Sequence, residues 1–181
     1  MATWTIDPSH SEIGFVARHL VITKVRGHFA EYQGSVSSSD EQLNDLAISF
    51  EANVASISTK NADRDNHLKS ADFFDAENHP KLAFVSKSVR RNGSDLAVDG
   101  TMTIRGVEKP VSLHVEVGGI AKDPWGNTKA GLSFSGKLNR KDFGLNWNKA
   151  LETGGVVVGD EVEISIDAEF NPEPPAAPEA K

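Results

Sequence analysis

Apolar and polar residues alternate with a period of two along most of the chain, the pattern of strands with one face buried and one face wet. Ile48, Phe50, Ala52 and Val54 alternate with Ser49, Glu51 and Asn53. Leu96, Val98, Gly100, Met102 and Ile104 form a second run, and Val111, Leu113, Val115 and Val117 a third. Ala130, Leu132, Phe134, Gly136 and Leu138 make a fourth, and Val162, Ile164, Ile166, Ala168 and Phe170 a fifth. Less regular stretches near 10–22, 24–37 and 81–91 bring the expectation to about eight strands. Asn92-Gly93 predicts a type I′ hairpin turn, because both residues tolerate positive φ, and Arg105-Gly106 and the Lys24 to Gly27 stretch look similar.

One segment, Thr59 to Asp75, breaks the alternation. Asn61 can cap a helix with Asp63 in its first turn, and Asp65 and Lys69 have the favourable i, i+4 spacing, so a short helix is expected near residues 61–70. From Asn171 the chain has four of its eight prolines in eleven residues and no large apolar side chain. That composition predicts a single domain over 1–170 and a disordered tail over 171–181. Sequential antiparallel strands with one helix fit an all-β closed barrel or a two-sheet sandwich. The barrel is preferred because closure removes exposed edges. An eight-stranded barrel is just wide enough to be filled by its side chains or to hold one small ligand. Gly14, Gly27, Ala52, Gly100, Ala130 and Gly136 fall inside the predicted strands, where they either leave room for a ligand or mark bends.

Composition narrows the chemistry. The 181 residues are 38% hydrophobic and 25% charged, enough for one real core. The formal net charge of −7 disfavours nucleic acid and anionic membrane surfaces as partners of the molecule as a whole. Absence of cysteine excludes disulfides and thiolate catalysis. No window approaches the roughly 18 apolar residues of a membrane-spanning helix, and Met1 to Pro8 lacks a signal-peptide pattern, so a cytosolic protein without a membrane span is expected. No nucleophile elbow, phosphate loop, Rossmann glycine triplet or His-Glu-x-x-His occurs, and none of the six histidines forms a close metal-binding pair. Neither catalytic residues nor a metal is therefore expected. His19 beside Arg18, and His67 with Arg64 on one helix face, read either as satisfied surface groups or as contacts to a ligand head group. Phe73 and Phe74 either pin the helix or close a barrel mouth, and Trp125 and Trp147 are expected to pack over a barrel end.

Several motifs carry a resemblance. Trp4-Thr5-Ile6-Asp7-Pro8-Ser9-His10-Ser11 with Phe15 and Arg18-His19, Gly27-His28-Phe29, and Arg64 to Phe74 with His79-Pro80-Lys81 resemble the YceI-like family of bacterial proteins. Gly100 to Val107 and Arg140 to Leu145 match as well, so the likeness spans about residues 3–170. It implies an extended, lipocalin-like eight-stranded barrel that binds a polyisoprenoid, such as an isoprenoid quinone or polyprenyl phosphate, often as a dimer and often in the periplasm. A bound lipid, rather than a cofactor, is then the expected ligand. Arg18, His19, Arg64 and His67 become candidate head-group contacts. Phe15, Phe50, Phe73, Phe74, Phe84, Met102, Leu132 and Phe134 become the candidate tunnel. The competing readings are a filled-barrel interaction module and an enzyme that uses a mouth histidine such as His67.

Overall fold

A computed structural model of the chain describes residues 1–174 and shows a closed antiparallel barrel with one short α-helix. Its strands are β1 (Ala2–Ile6), β2 (Glu12–His19), β3 (Thr23–Phe29), β4 (Tyr32–Ser38), β5 (Ala47–Asn53), β6 (Ile57–Ser58), β7 (Lys81–Asn92), β8 (Asp95–Ile104), β9 (Val107–Lys122), β10 (Thr128–Asn139) and β11 (Val158–Pro172), with α1 (Ala62–Lys69) between β6 and β7. Eight of them, in the order β1-β4-β5-β7-β8-β9-β10-β11, make the ring, and the β1–β11 pairing closes it. β11 is long enough to serve two partners along one edge. Phe170 to Pro172 pair with β1, whereas Val158 to Asp167 pair with β2. A 3-10 turn at Pro8–His10, started by the Asp7 carboxylate on the Ser9 amide, steps the chain from one partner position to the other. At one end of the barrel the β2–β3 hairpin therefore replaces β1 in the wall, and β3 goes on to pair with the short β6.

The alternation predicted from sequence is realised most cleanly in β8, where Leu96, Val98, Gly100, Met102 and Ile104 are buried in turn. At the end of the barrel away from α1, the interior is packed solid by side chains that include Trp4, Val36, Leu43, Val115, Leu132, Phe134 and Phe170. Phe134 meets Phe50 edge-on at 5.1 Å, and Phe50 also leans on Phe170 at 6.3 Å. The strand glycines seat these rings. A Cβ on Gly27 would lie 2.2 Å from the Phe15 ring, one on Gly34 2.4 Å from Phe50, and one on Gly100 2.5 Å from Phe84. Their missing side chains are thus filled by aromatic neighbours.

Some expectations move. The stretch 24–37 is two strands, β3 and β4, and the turn expected at Lys24 to Gly27 falls instead at Leu20 to Ile22. Lys24 to Gly27 is regular strand because its even spacing continues the inward face of Val25, Gly27 and Phe29. Asn92-Gly93 is a hairpin end, but the two loop residues are Gly93 and Ser94, and only Gly93 has positive φ, the pattern of a type II′ turn. Arg105 and Gly106 both have positive φ and form the I′-like turn. Asn171 and Pro172 belong to β11, and Glu173 bonds back to β1 through Thr3 O and the Thr5 hydroxyl. Residues 171–173 of the expected disordered tail are therefore ordered against β1, and 175–181 lie outside the described residues. Trp125 is 84% exposed at the tip of the β9–β10 hairpin rather than packed over a barrel end. A tight turn there, with Asp123 accepting from the Trp125 and Asn127 amides, holds the loop away from the wall.

Candidate functional site

The barrel interior keeps a cavity of about 140 Å³ towards the α1 end. That is roughly ten times the room one water needs. β2 contributes Ile13, Phe15 and Ala17, and Phe29 follows from β3. Further along the wall come Leu82 from β7, Met102 and Ile104 from β8, and Val162, Ile164 and Ile166 from β11. Among the described residues only two charged ones border it, Glu51 and Arg140. The Glu51 carboxylate is turned to Lys81 at 2.6 Å and Gln33 at 3.1 Å. No charge is thus left to face the cavity except the Arg140 guanidinium.

α1 and the coil after it roof this cavity. The Asn61 side chain accepts from the Arg64 amide at 2.9 Å, which is the N-cap read from the sequence. Asp65 does not reach Lys69; it accepts from the Thr59 amide and hydroxyl at 2.8 and 2.6 Å. Arg64 donates to the Thr59 hydroxyl and carbonyl, both at 2.7 Å, so the two charged residues clasp the buried Thr59 from opposite sides. Leu68 in the last turn of the helix, and Phe73 and Phe74 beyond it, turn down into the cavity. Phe74 meets Phe29 edge-on at 6.2 Å, and Phe73 leans on Trp147 at 5.4 Å. Arg105, in the β8–β9 turn, donates to Phe73 O at 2.9 Å and Gly144 O at 3.3 Å, tying the roof to the segment after β10.

Arg140 organises that second segment. Its side chain is buried and gives Nε to Gly159 O at 2.9 Å, Nη1 to Leu145 O at 2.6 Å and Trp147 O at 2.9 Å, and Nη2 to Val158 O at 3.3 Å. Burial pushes its proton affinity down and Asp160, 3.8 Å away, pushes it up. A planar guanidinium with five fixed donors suits a bundle of backbone carbonyls in a way an ammonium does not. Sequence reasoning gave Arg140 no role. Its only signal was its place in the family-like Arg140 to Leu145 motif, because nothing local shows that a 140–158 loop folds around it.

Of the candidate head-group residues, Arg64 and His67 stand on the roof. His67 Nε2 lies 2.8 Å from Asp72, and its ring meets Phe73 and Trp147 edge-on at 5.1 and 4.6 Å. His19 follows Phe15 and Ala17 on the inward alternation of β2 and is half-buried. Arg18 is exposed on the opposite face of the strand, so the four are not gathered at one point. Of the candidate tunnel residues, Phe15, Phe50, Phe73, Phe74, Phe84 and Met102 border the cavity, whereas Leu132 and Phe134 sit in the packed core beyond it. Two clusters of potential metal ligands lie on the outer wall, away from the cavity: Asp7, His10 and Glu169, and Asp95, His114 and Glu116. In the first the cationic position is taken by Lys129, 3.0 Å from Asp7 and 3.2 Å from Glu169. The Ser9 hydroxyl above all holds the Asp7 carboxyl well below the usual carboxylate range, with Lys129 and His10 adding to it, and burial, the second-largest influence, opposes them.

Known proteins share this fold. The model of the YceI-like domain matches residues 4–170. The UPF0312 protein of Staphylococcus aureus strain MSSA476 is 38% identical over 172 residues, covering 94% of this chain and 98% of the relative. The crystal structure of the Campylobacter jejuni YceI protein superposes with a TM-score of 0.75 at 31% identity, over 87% of this chain and 90% of that one. A polyisoprenoid-binding domain from Saccharophagus degradans shares the fold, with a TM-score of 0.67 at 13% identity over 94% of this chain and 98% of its own. With a family model covering nearly the whole barrel and a relative of this identity, the chain belongs to the YceI-like family.

Proposed function

We propose that the protein binds a long apolar isoprenoid lipid, an isoprenoid quinone or a polyprenyl phosphate, inside the barrel, for carriage, storage or sequestration, and that it is not an enzyme. The observation that carries this reading is the cavity itself. It is walled by aromatic and aliphatic side chains, and of the two charged residues at its border Glu51 is turned to Lys81 and Gln33 and Arg140 is occupied by four backbone carbonyls. Such a wall gives chemistry nothing to work with and gives hydrocarbon much: each buried methylene contributes about 0.8 kcal/mol. The Saccharophagus degradans domain, described as polyisoprenoid-binding, has the same fold. The cavity at its present size takes the first isoprene units, and rotation of the bordering rings, Phe15 and Phe74 first, lengthens the tunnel. The polar head stays at the roof near Arg64, His67 and His19. The solid packing around Phe50, Phe134 and Phe170 favours the alternative, a filled-barrel interaction module, to which an unoccupied cavity in the purified protein would point.

The head-group assignment has a direct test. The Arg64→Ala/His67→Ala double variant is expected to lose affinity for a pyrophosphate-headed isoprenoid and to keep most of its affinity for the headless hydrocarbon. Equal losses for both ligands would mean that these residues only hold the roof.

A further inference from the structure

The β2–β3 hairpin differs from the rest of the surface in both charge and polarity. Between Glu12 and Glu31 the chain carries Arg18, Lys24 and Arg26, together with His19 and His28, and no acidic residue, within a protein of net charge −7. Alternation turns Phe15, Ala17, Val25 and Gly27 inward and leaves Arg18, Lys24 and Arg26 exposed on the outer face. The register sets Arg18 beside Lys24. Among the described residues none of these three cations is in an ion pair. The nearest acidic residues on β11, Asp160 and Glu161, lie in the bulge opposite Arg18 and pair elsewhere, Asp160 with Arg140 and Lys141 and Glu161 with Lys137.

The tip is apolar. Val21 is 64% exposed and Ile22 77%, and the backbone of Leu20 and Val21 has φ of 54° and 66°. A β-branched residue is strained there, and a turn with no other task is made more easily by glycine or asparagine. The Leu20 amide donates to Val157 O at 2.9 Å, which fixes the tip beside Val156, itself 36% exposed. Just beneath, Ala17 and Val158 line the cavity. Exposed apolar side chains, three cations outside any ion pair among the described residues and the cavity end of the barrel thus coincide.

We propose that this hairpin docks the barrel mouth onto an anionic lipid surface, with Val21 and Ile22 in the interface and Arg18, Lys24 and Arg26 over the head-group phosphates. The proposal rests on the lipid-binding reading, since a lipid leaving a bilayer needs the mouth to face it. Two short apolar side chains anchor weakly by themselves, and a basic patch supplies the second signal that reversible anchoring requires. The net negative charge of the remainder repels the same surface and so orients the molecule with the hairpin down. Each cation near such a surface strengthens binding by about fivefold, and three together by about a hundredfold, with steep weakening in salt.

The test is co-sedimentation of the full chain with vesicles of phosphatidylcholine, with or without about one-third phosphatidylglycerol. Wild type is expected to bind the anionic vesicles well and the neutral ones poorly. Arg18→Gln/Lys24→Gln/Arg26→Gln should lose about a hundredfold on anionic vesicles, and Val21→Ser/Ile22→Ser about tenfold. Lys87→Gln/Lys122→Gln, which removes charge from β7 and β9, should bind like wild type. A wild type that ignores anionic vesicles, hairpin variants that bind normally, or a control pair that loses as much as the hairpin would each overturn the proposal. Lipid content, measured by mass spectrometry on the same preparations, is a separate readout. A hairpin variant that keeps its lipid but loses the vesicles isolates docking, whereas a lipid-free wild type counts against the cavity reading and leaves the vesicle result to decide docking.

Discussion

Replacing Gly27 by alanine places a methyl 2.2 Å from Cζ of Phe15 and 2.6 and 2.9 Å from its Cε atoms, where ordinary contact begins at 3.4 Å. The two residues are directly paired across β2 and β3, so the backbone cannot separate them without breaking register. The ring must retreat by at least 1.2 Å, the difference between 3.4 and 2.2 Å. Phe29 blocks one side, with ring centroids 5.8 Å apart, and the cavity is the side left open. Overpacking costs about 1–3 kcal/mol, and free space to move into favours the low end. About 1 kcal/mol lowers Tm by roughly 2–4 °C in a domain of this size. The displaced ring also takes lipid room, and each methylene excluded weakens binding by about fourfold. Thermal unfolding and titration with an isoprenoid alcohol measure both effects, and Phe15→Leu in the Gly27→Ala background should restore both. A Gly27→Ala protein with lowered Tm and unchanged lipid affinity, or one that Phe15→Leu does not rescue, would refute the placement of Phe15 at the cavity wall.

Arg140→Lys should destabilise the protein by about 3 kcal/mol, because an ammonium cannot reach the four carbonyls that the guanidinium serves; denaturant melts would show it, and a loss under about 1 kcal/mol would contradict the role given to the fork. Trp4 is 6% exposed, and its indole N–H is buried without a hydrogen-bond partner among the described residues. Trp4→Phe should therefore leave Tm within about 2 °C of wild type, and a larger fall would contradict an unpartnered indole N–H. Asp7 ionises more readily folded than unfolded, held down first by the Ser9 hydroxyl and then by Lys129 and His10. Its stabilisation is then complete above the unfolded value of about 4 and is lost as pH falls towards the lower folded value. The stability advantage of wild type over Asp7→Asn should shrink below about pH 4, and an advantage that stays constant down to the acid limit would refute the assignment.

The ring strands were legible because their period of two is a property of each strand alone. Leu96 to Ile104 shows it as plainly in the sequence as in the wall. The helix was legible for the same reason, through Asn61 and its first-turn acids. What escaped depended on distant partners. Ala2–Ile6 is a strand because β4 and the end of β11 flank it, and Ile57–Ser58 because β3 needs an edge partner. The strand glycines left two readings open, room or bend, and the structure gives a third. At Gly27, Gly34 and Gly100 the space belongs to a phenylalanine on the next strand. Spacing puts Arg18 and His19 on opposite faces of a strand, but it could not show which face was the inner one, nor that Arg140 would gather carbonyls from a loop ending near Val158.

The central claim is that the barrel holds an isoprenoid, and extraction of the protein purified from its native host, followed by mass spectrometry of the organic phase, tests it most directly. The account predicts one isoprenoid molecule per chain, quinone or polyprenyl phosphate in class. An extract free of isoprenoid, and still free after the protein is incubated with quinones and polyprenyl phosphates, would contradict it.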